Sequence, residues 1–67
     1  MTIWHIRLFV NGTEHNEDRG DLDSAKEWVR LRLEALGHAA TLDWKLVGTD
    51  WRAGFRPDLN AYVTPRS

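Results

Sequence analysis

Leu22, Ala25, Val29, Leu33 and Leu36 recur at helical spacing within a chain of only 67 residues. That stripe specifies one helix with one apolar face, over Leu22 to Leu36. A single apolar helix face has to be covered, and the chain holds no second helical stripe to cover it. The flanking segments alternate at period two instead, the pattern of half-buried strands. The expected class is α+β: one helix packed on a small, mainly antiparallel sheet, in the order β-α-β-β(-β). A chain of this size buries only about 60% of the surface it exposes when unfolded, so one thin-cored domain spans residues 1–67.

The helix carries its own punctuation. Asp21 is a good N-cap, and Asp23 favours the positive first turn. Ser24-Ala25-Lys26-Glu27 also fits a capping box, which would start the helix at Ala25. Gly37 suits the left-handed residue that ends a helix. Glu27, Arg30 and Glu34 are spaced to pair along the exposed side.

Thr2 to Val10 reads as the first strand. Trp4, Ile6, Leu8 and Val10 form its apolar face, and Ile3, His5, Arg7 and Phe9 its mixed face. Asn11 to Gly20 (NGTEHNEDRG) reads as a mobile polar loop that opens on an Asn11-Gly12 turn, at most as a short ribbon. Thr41 to Val47 alternates again, with Leu42, Trp44 and Leu46 on one face. Gly48-Thr49-Asp50 is a turn. Trp51, Ala53 and Phe55 then alternate with Arg52, Gly54 and Arg56. Arg56-Pro57-Asp58 breaks the chain, and Asn60 to Thr64 forms a last strand that Pro65 ends. The first strand is expected beside a strand of this meander. The sheet face away from the helix has nothing to cover it.

Composition narrows the function classes. Nine Lys+Arg against ten Asp+Glu leave a net charge of −1. A dedicated nucleic-acid binder is usually basic. The absence of cysteine excludes disulfides, thiolate metal sites and a thiol nucleophile, and it favours a reducing cytoplasm. The first residues lack the pattern of a signal peptide. The longest apolar run, Leu8-Phe9-Val10, is far short of the ~18 residues of a membrane span. The expected localisation is cytoplasmic, without membrane contact.

The chemistry-bearing residues are dispersed. His5, His15 and His38 share no helical metal spacing. His15 with Glu14, Glu17 and Asp18 reads as a solvated acidic loop. A calcium loop fails on glycine and ligand positions: starting at Asn16 puts Asp21 where glycine is needed, and starting at Asp18 puts Leu22 where a ligand is needed. The glycines form no phosphate-binding motif. Asn11-Gly12-Thr13 and Arg19-Gly20-Asp21 match a glycosylation sequon and an adhesion tripeptide, but turn and cap roles account for them. No catalytic residue, metal ligand or cofactor is expected, and an enzyme is not.

Tryptophan is the outlier, with four copies. Trp28 and Trp44 fall on core faces, and Trp51 is balanced between core and surface. Arg7, Arg52 and Arg56 fall on outward strand positions, joined by Lys45. The expected function is a non-enzymatic protein-interaction module, or a homodimer, working through the open sheet face or an unpaired edge. Phe9, Trp51, Phe55 and Tyr62 are the candidate anchors, with Arg7, Arg52 and Arg56 around them. The alternative is a small nucleic-acid-binding accessory that uses the arginine-bearing sheet.

Asp21-Leu22-Asp23-Ser24-Ala25-Lys26, Leu42-x-Trp44, Trp51-x-Ala53 and Tyr62-Val63-Thr64-Pro65, in a chain rich in Trp and Arg and poor in Lys, resemble small uncharacterised proteins of actinobacteria and their phages. The resemblance implies a small accessory protein that acts on a host protein. It implies no activity and no catalytic residue.

Overall fold

The computed structural model of the protein describes residues 2–38, 42–56 and 59–66, with the backbone alone for residues 55 and 56. Six elements follow one another: β1 (Ile3–Val10), β2 (Thr13–Arg19), α1 (Leu22–Ala35), β3 (Lys45–Val47), β4 (Asp50–Arg56) and β5 (Leu59–Arg66). The order is ββαβββ, so the α+β class holds with one strand more before the helix than expected. All strands pair antiparallel in a single sheet of order β2-β1-β5-β4-β3.

The helix ends as its residues dictate. Asp21 Oδ1 accepts from the Ser24 amide at 2.7 Å, and Asp21 Oδ2 accepts from the Ser24 hydroxyl at 3.0 Å. These two hydrogen bonds, the amide one foremost, hold the Asp21 carboxyl below the ordinary carboxylate range. The capping-box start at Ala25 is therefore not the one used. At the other end Gly37 has φ +82°. His38 N–H donates to the Leu33 carbonyl at 2.8 Å, and Gly37 N–H to that of Glu34 at 3.1 Å. This is the Schellman arrangement, which satisfies carbonyls that the last turn leaves unpaired. Arg30 bridges Glu27 and Glu34 on the exposed side, which lowers the Glu27 pKa and raises its own.

Ala25, Val29 and Leu33 of α1 are buried against Ile6, Leu8 and Val10 of β1 and Leu59, Ala61 and Val63 of β5, with Ala53 of β4. Full burial of a side chain such as Leu33 contributes about 1.5–3 kcal/mol. Leu36 is an exception to the expected stripe. As the cap residue it lies past the helical turn and stays 41% exposed. Trp4, Trp28, Leu42, Trp44 and Trp51 are half-buried and pack around the core.

Three strand expectations need correction. The polar stretch after Val10 is not a loop: Asn11 (φ 51°) and Gly12 (φ 83°) form a two-residue turn, and β2 pairs along the whole of β1. Positive φ at both positions matches the twist of a hairpin, which explains the strand despite its polar sequence. The strand expected from Thr41 is shortened to Lys45–Val47. Thr41 lies outside the described residues, and Leu42 to Trp44 are non-strand residues. Pro65 does not end the last strand. Beyond Val63 β5 pairs only with β1, so an absent N–H on the β4 side breaks no ladder bond.

The first strand does lie beside a strand of the meander, with β1 antiparallel to β5. Because β5 returns next to β1, the first and last strands form the centre of the sheet. The helix lies over β1, β2 and β5. No helix or strand among the described residues covers the other sheet face.

Candidate functional site on the open sheet face

Strand alternation decides which side chains reach the open face. Ile6, Leu8 and Val10 are buried, so Arg7 and Phe9 turn away from the helix. Ala61 and Val63 are buried, so Tyr62 turns away too. The register then aligns Asn16, Arg7, Tyr62, Arg52 and Lys45 in one row across all five strands.

Tyr62 is the centre of that row. The Arg7 guanidinium carbon lies 5.3 Å from its ring centroid and that of Arg52 5.6 Å, one from each neighbouring strand. Both are within the range where a cation is attracted by the ring quadrupole. Phe9 meets the same ring edge-on, with centroids 5.8 Å apart and planes at 81°. Arg7 and Arg52 are exposed, while Phe9 and Tyr62 are half-buried. Arg52 has Asp50 at 3.8 Å, a loose ion pair. The contacts hold two guanidinium groups in place while leaving their outer donors to solvent.

Charge is graded across this face. Glu14 and Asp18 stand on β2, next to Phe9 and His5 of β1. Asp18 Oδ1 lies 2.6 Å from His5 Nδ1. Toward β3 the row ends in Arg52 and Lys45. One flank is therefore acidic and the other basic, with aromatic rings between them.

The expected site residues divide. Arg7, Phe9, Arg52 and Tyr62 come together on the open face. Trp51 does not. It pairs with Val63 and Leu46 on the helix side, half-buried, with the Lys26 ammonium 4.1 Å from its ring centroid. The same ammonium lies 5.9 Å from Trp44. Trp51 thus belongs to the helix-side packing, as period two along β4 requires once Arg52 faces outward. Trp28 also has a cation above it, Arg32 at 5.1 Å. The side chains of Phe55 and Arg56 lie outside the described residues. The sequence reads Glu14 to Asp23 as a solvated acidic stretch able to face a basic partner, but not as a flank of the arginine-bearing face, because that placement depends on β2.

The remaining surface offers less. A shallow groove beside α1 is lined by Arg19, Glu27, Trp28 and Leu31, among others. His15 and His38 border another depression with Val10 and Leu36. Among the described residues no group of three or more metal-ligating side chains occurs. No described helix is long and apolar enough to cross a membrane. The chain matches no protein-family model, no curated protein and no solved structure.

Proposed function

We propose that this chain is a non-enzymatic interaction module that engages an acidic surface of a partner protein through its open sheet face. The observation that carries this reading is Tyr62 held between the guanidinium groups of Arg7 and Arg52, with Phe9 against its edge. Tyrosine and arginine dominate the binding energy of protein interfaces. Here they are positioned before any partner arrives, so little side-chain freedom remains to be lost on binding. Lys45 extends the positive side of the row, and guanidinium donors suit bidentate carboxylates. The resemblance to small actinobacterial and phage proteins fits an accessory that acts on a host protein in the cytoplasm.

The test is capture from an actinobacterial lysate with the full chain, beside Tyr62→Ala and Arg52→Ala. Both substitutions lie on an open face and should leave the circular dichroism spectrum unchanged. The expected result is one retained protein, with about tenfold or greater loss of affinity in each variant. Equal retention by all three chains overturns the reading.

A second reading has its own support. Phe9 and Tyr62 sit on adjacent central strands of an open sheet with arginines beside them, an arrangement on which single-stranded bases stack. Salt separates the two. A nucleic-acid complex weakens steeply as salt rises, because each neutralised phosphate releases counterions. Retention that disappears on nuclease treatment favours this second reading over the first.

A further inference from the structure

The two edges of the sheet are unlike. β2 carries Glu14, Glu17, Asp18 and Arg19, the charged dressing that discourages strand addition, and α1 lies over it. β3 pairs with β4 on one side, and nothing among the described residues pairs with the other. Its Leu46 and Val47 are 57% and 48% exposed. The helix does not reach this edge. Among the described residues nothing covers this edge, and two of its three strand residues are apolar, which makes it a template for pairing.

We infer that β3 pairs antiparallel with β3 of a second copy, about a two-fold axis through Leu46. Side-chain geometry selects this register. A two-fold axis normal to the sheet keeps every residue on its own face, so the axis passes through Lys45, Leu46 or Val47. Centring on Lys45 would set two ammonium groups side by side, which is destabilising. Centring on Val47 would leave each Leu46 opposite Gly48 of the second copy, with no side chain against it. Centring on Leu46 sets leucine against leucine on the helix side, flanked by Trp51 of each copy. It also sets Lys45 against Val47 of the second copy, whose neighbour in β4 is Asp50. The lysine stem then covers an exposed valine while its ammonium extends toward a carboxylate. The same patch is used on both copies, as a closed two-fold contact requires. The pairing joins two five-stranded sheets into one and leaves Arg7, Phe9 and Tyr62 of both open faces accessible, while it draws on Lys45 at the end of their row.

The chain has no cysteine, so Leu46→Cys introduces a single thiol. On the axis of an antiparallel pair its Cα lies roughly 4.5–5.5 Å from its counterpart, inside disulfide range. The full chain is oxidised and run without reductant, beside Asn16→Cys on the opposite edge. Sedimentation equilibrium follows the unsubstituted chain, Leu46→Lys and Tyr62→Ala. The expected result is a covalent dimer from Leu46→Cys and not from Asn16→Cys, a dimer in the unsubstituted chain and Tyr62→Ala, and its loss in Leu46→Lys. A monomer at every concentration of the unsubstituted chain overturns the proposal. So does equal crosslinking from Asn16→Cys, or loss of the dimer in Tyr62→Ala with Leu46→Lys unaffected.

Discussion

Asn11 and Gly12 both adopt the left-handed backbone region, and each has a distinct tolerance for it. Asparagine visits that region through local hydrogen bonding of its short side chain, and glycine because it has no Cβ. Nothing lies within 4 Å of where a Cβ of Gly12 would stand, so space is not the constraint there. The conformation is. Gly12→Val should therefore destabilise the fold by about 1–2 kcal/mol, read as a lower urea midpoint at unchanged slope. Asp21 acts at the same scale through charge. Its folded-state pKa is depressed by the Ser24 hydrogen bonds. Its contribution is therefore complete above the pKa of the unfolded chain, and it is lost as pH falls through the lower, folded value. The expected outcome is that Asp21→Asn flattens the acid limb of stability against pH, measured by urea titration across the carboxylate range. A curve superimposable on that of the unsubstituted chain would count against this role for the cap. The Tyr62 row belongs here too, because its side-chain directions follow from which neighbours are buried. Those of Arg7, Arg52 and Tyr62 were legible from alternation alone, and that of Asn16 was not.

Elements differ in how plainly their residues announce them. α1 is written twice over, in an apolar stripe and in caps at both ends, and all of these signals lie within a few residues of one another. Its extent matched expectation to within the cap residue. β2 is written almost nowhere in its own residues. Thr-Glu-His-Asn-Glu-Asp-Arg has no apolar alternation, since neither face of the strand joins the buried core. What makes it a strand is the Asn11-Gly12 turn, which folds it back along β1. The turn was legible, but its power over a polar segment was not. The open-face site was accordingly legible in its basic half and hidden in its acidic half. Trp51 failed as an open-face anchor for the opposite reason: alternation set it against Arg52, and the helix side claimed it. Packing yields a prediction at this scale. Leu33 is buried between α1 and the sheet, with 1% of its surface exposed. Leu33→Ala should cost about 2–5 kcal/mol. For a domain with a net stability of only about 3–5 kcal/mol, that leaves little or no folded population at 25 °C. Far-ultraviolet circular dichroism would register a loss of helix, and a native spectrum with an unchanged melting temperature would contradict it.

At the scale of the molecule, one helix covers one side of five strands, and this asymmetry organises everything else. The buried side holds aliphatic residues and the four half-buried tryptophan rings. The open side holds cations, carboxylates and two aromatic rings. The edges differ too, one strongly charged and the other mostly apolar. Strand pairing between distant segments could not be read from local pattern, because period two says which face a residue takes and not which strand lies alongside. The position of β5 is the clearest case. Its residues suggested a short terminal strand, while the fold uses it as the strip that joins β1 to β4.

That placement has a consequence for how the protein is made. A ribosome delivers β1, β2 and α1 first, and these three can form a hairpin with the helix over it, but the β1 edge of that hairpin stays open. β3 and β4 follow, still without a neighbour that links them to β1. Only when residues 59–66 emerge does the sheet gain its middle. A message cut short before that point would therefore yield two unjoined fragments of sheet, each showing the edges that β5 ordinarily conceals. Arrival of β5 is what joins the two fragments into one sheet.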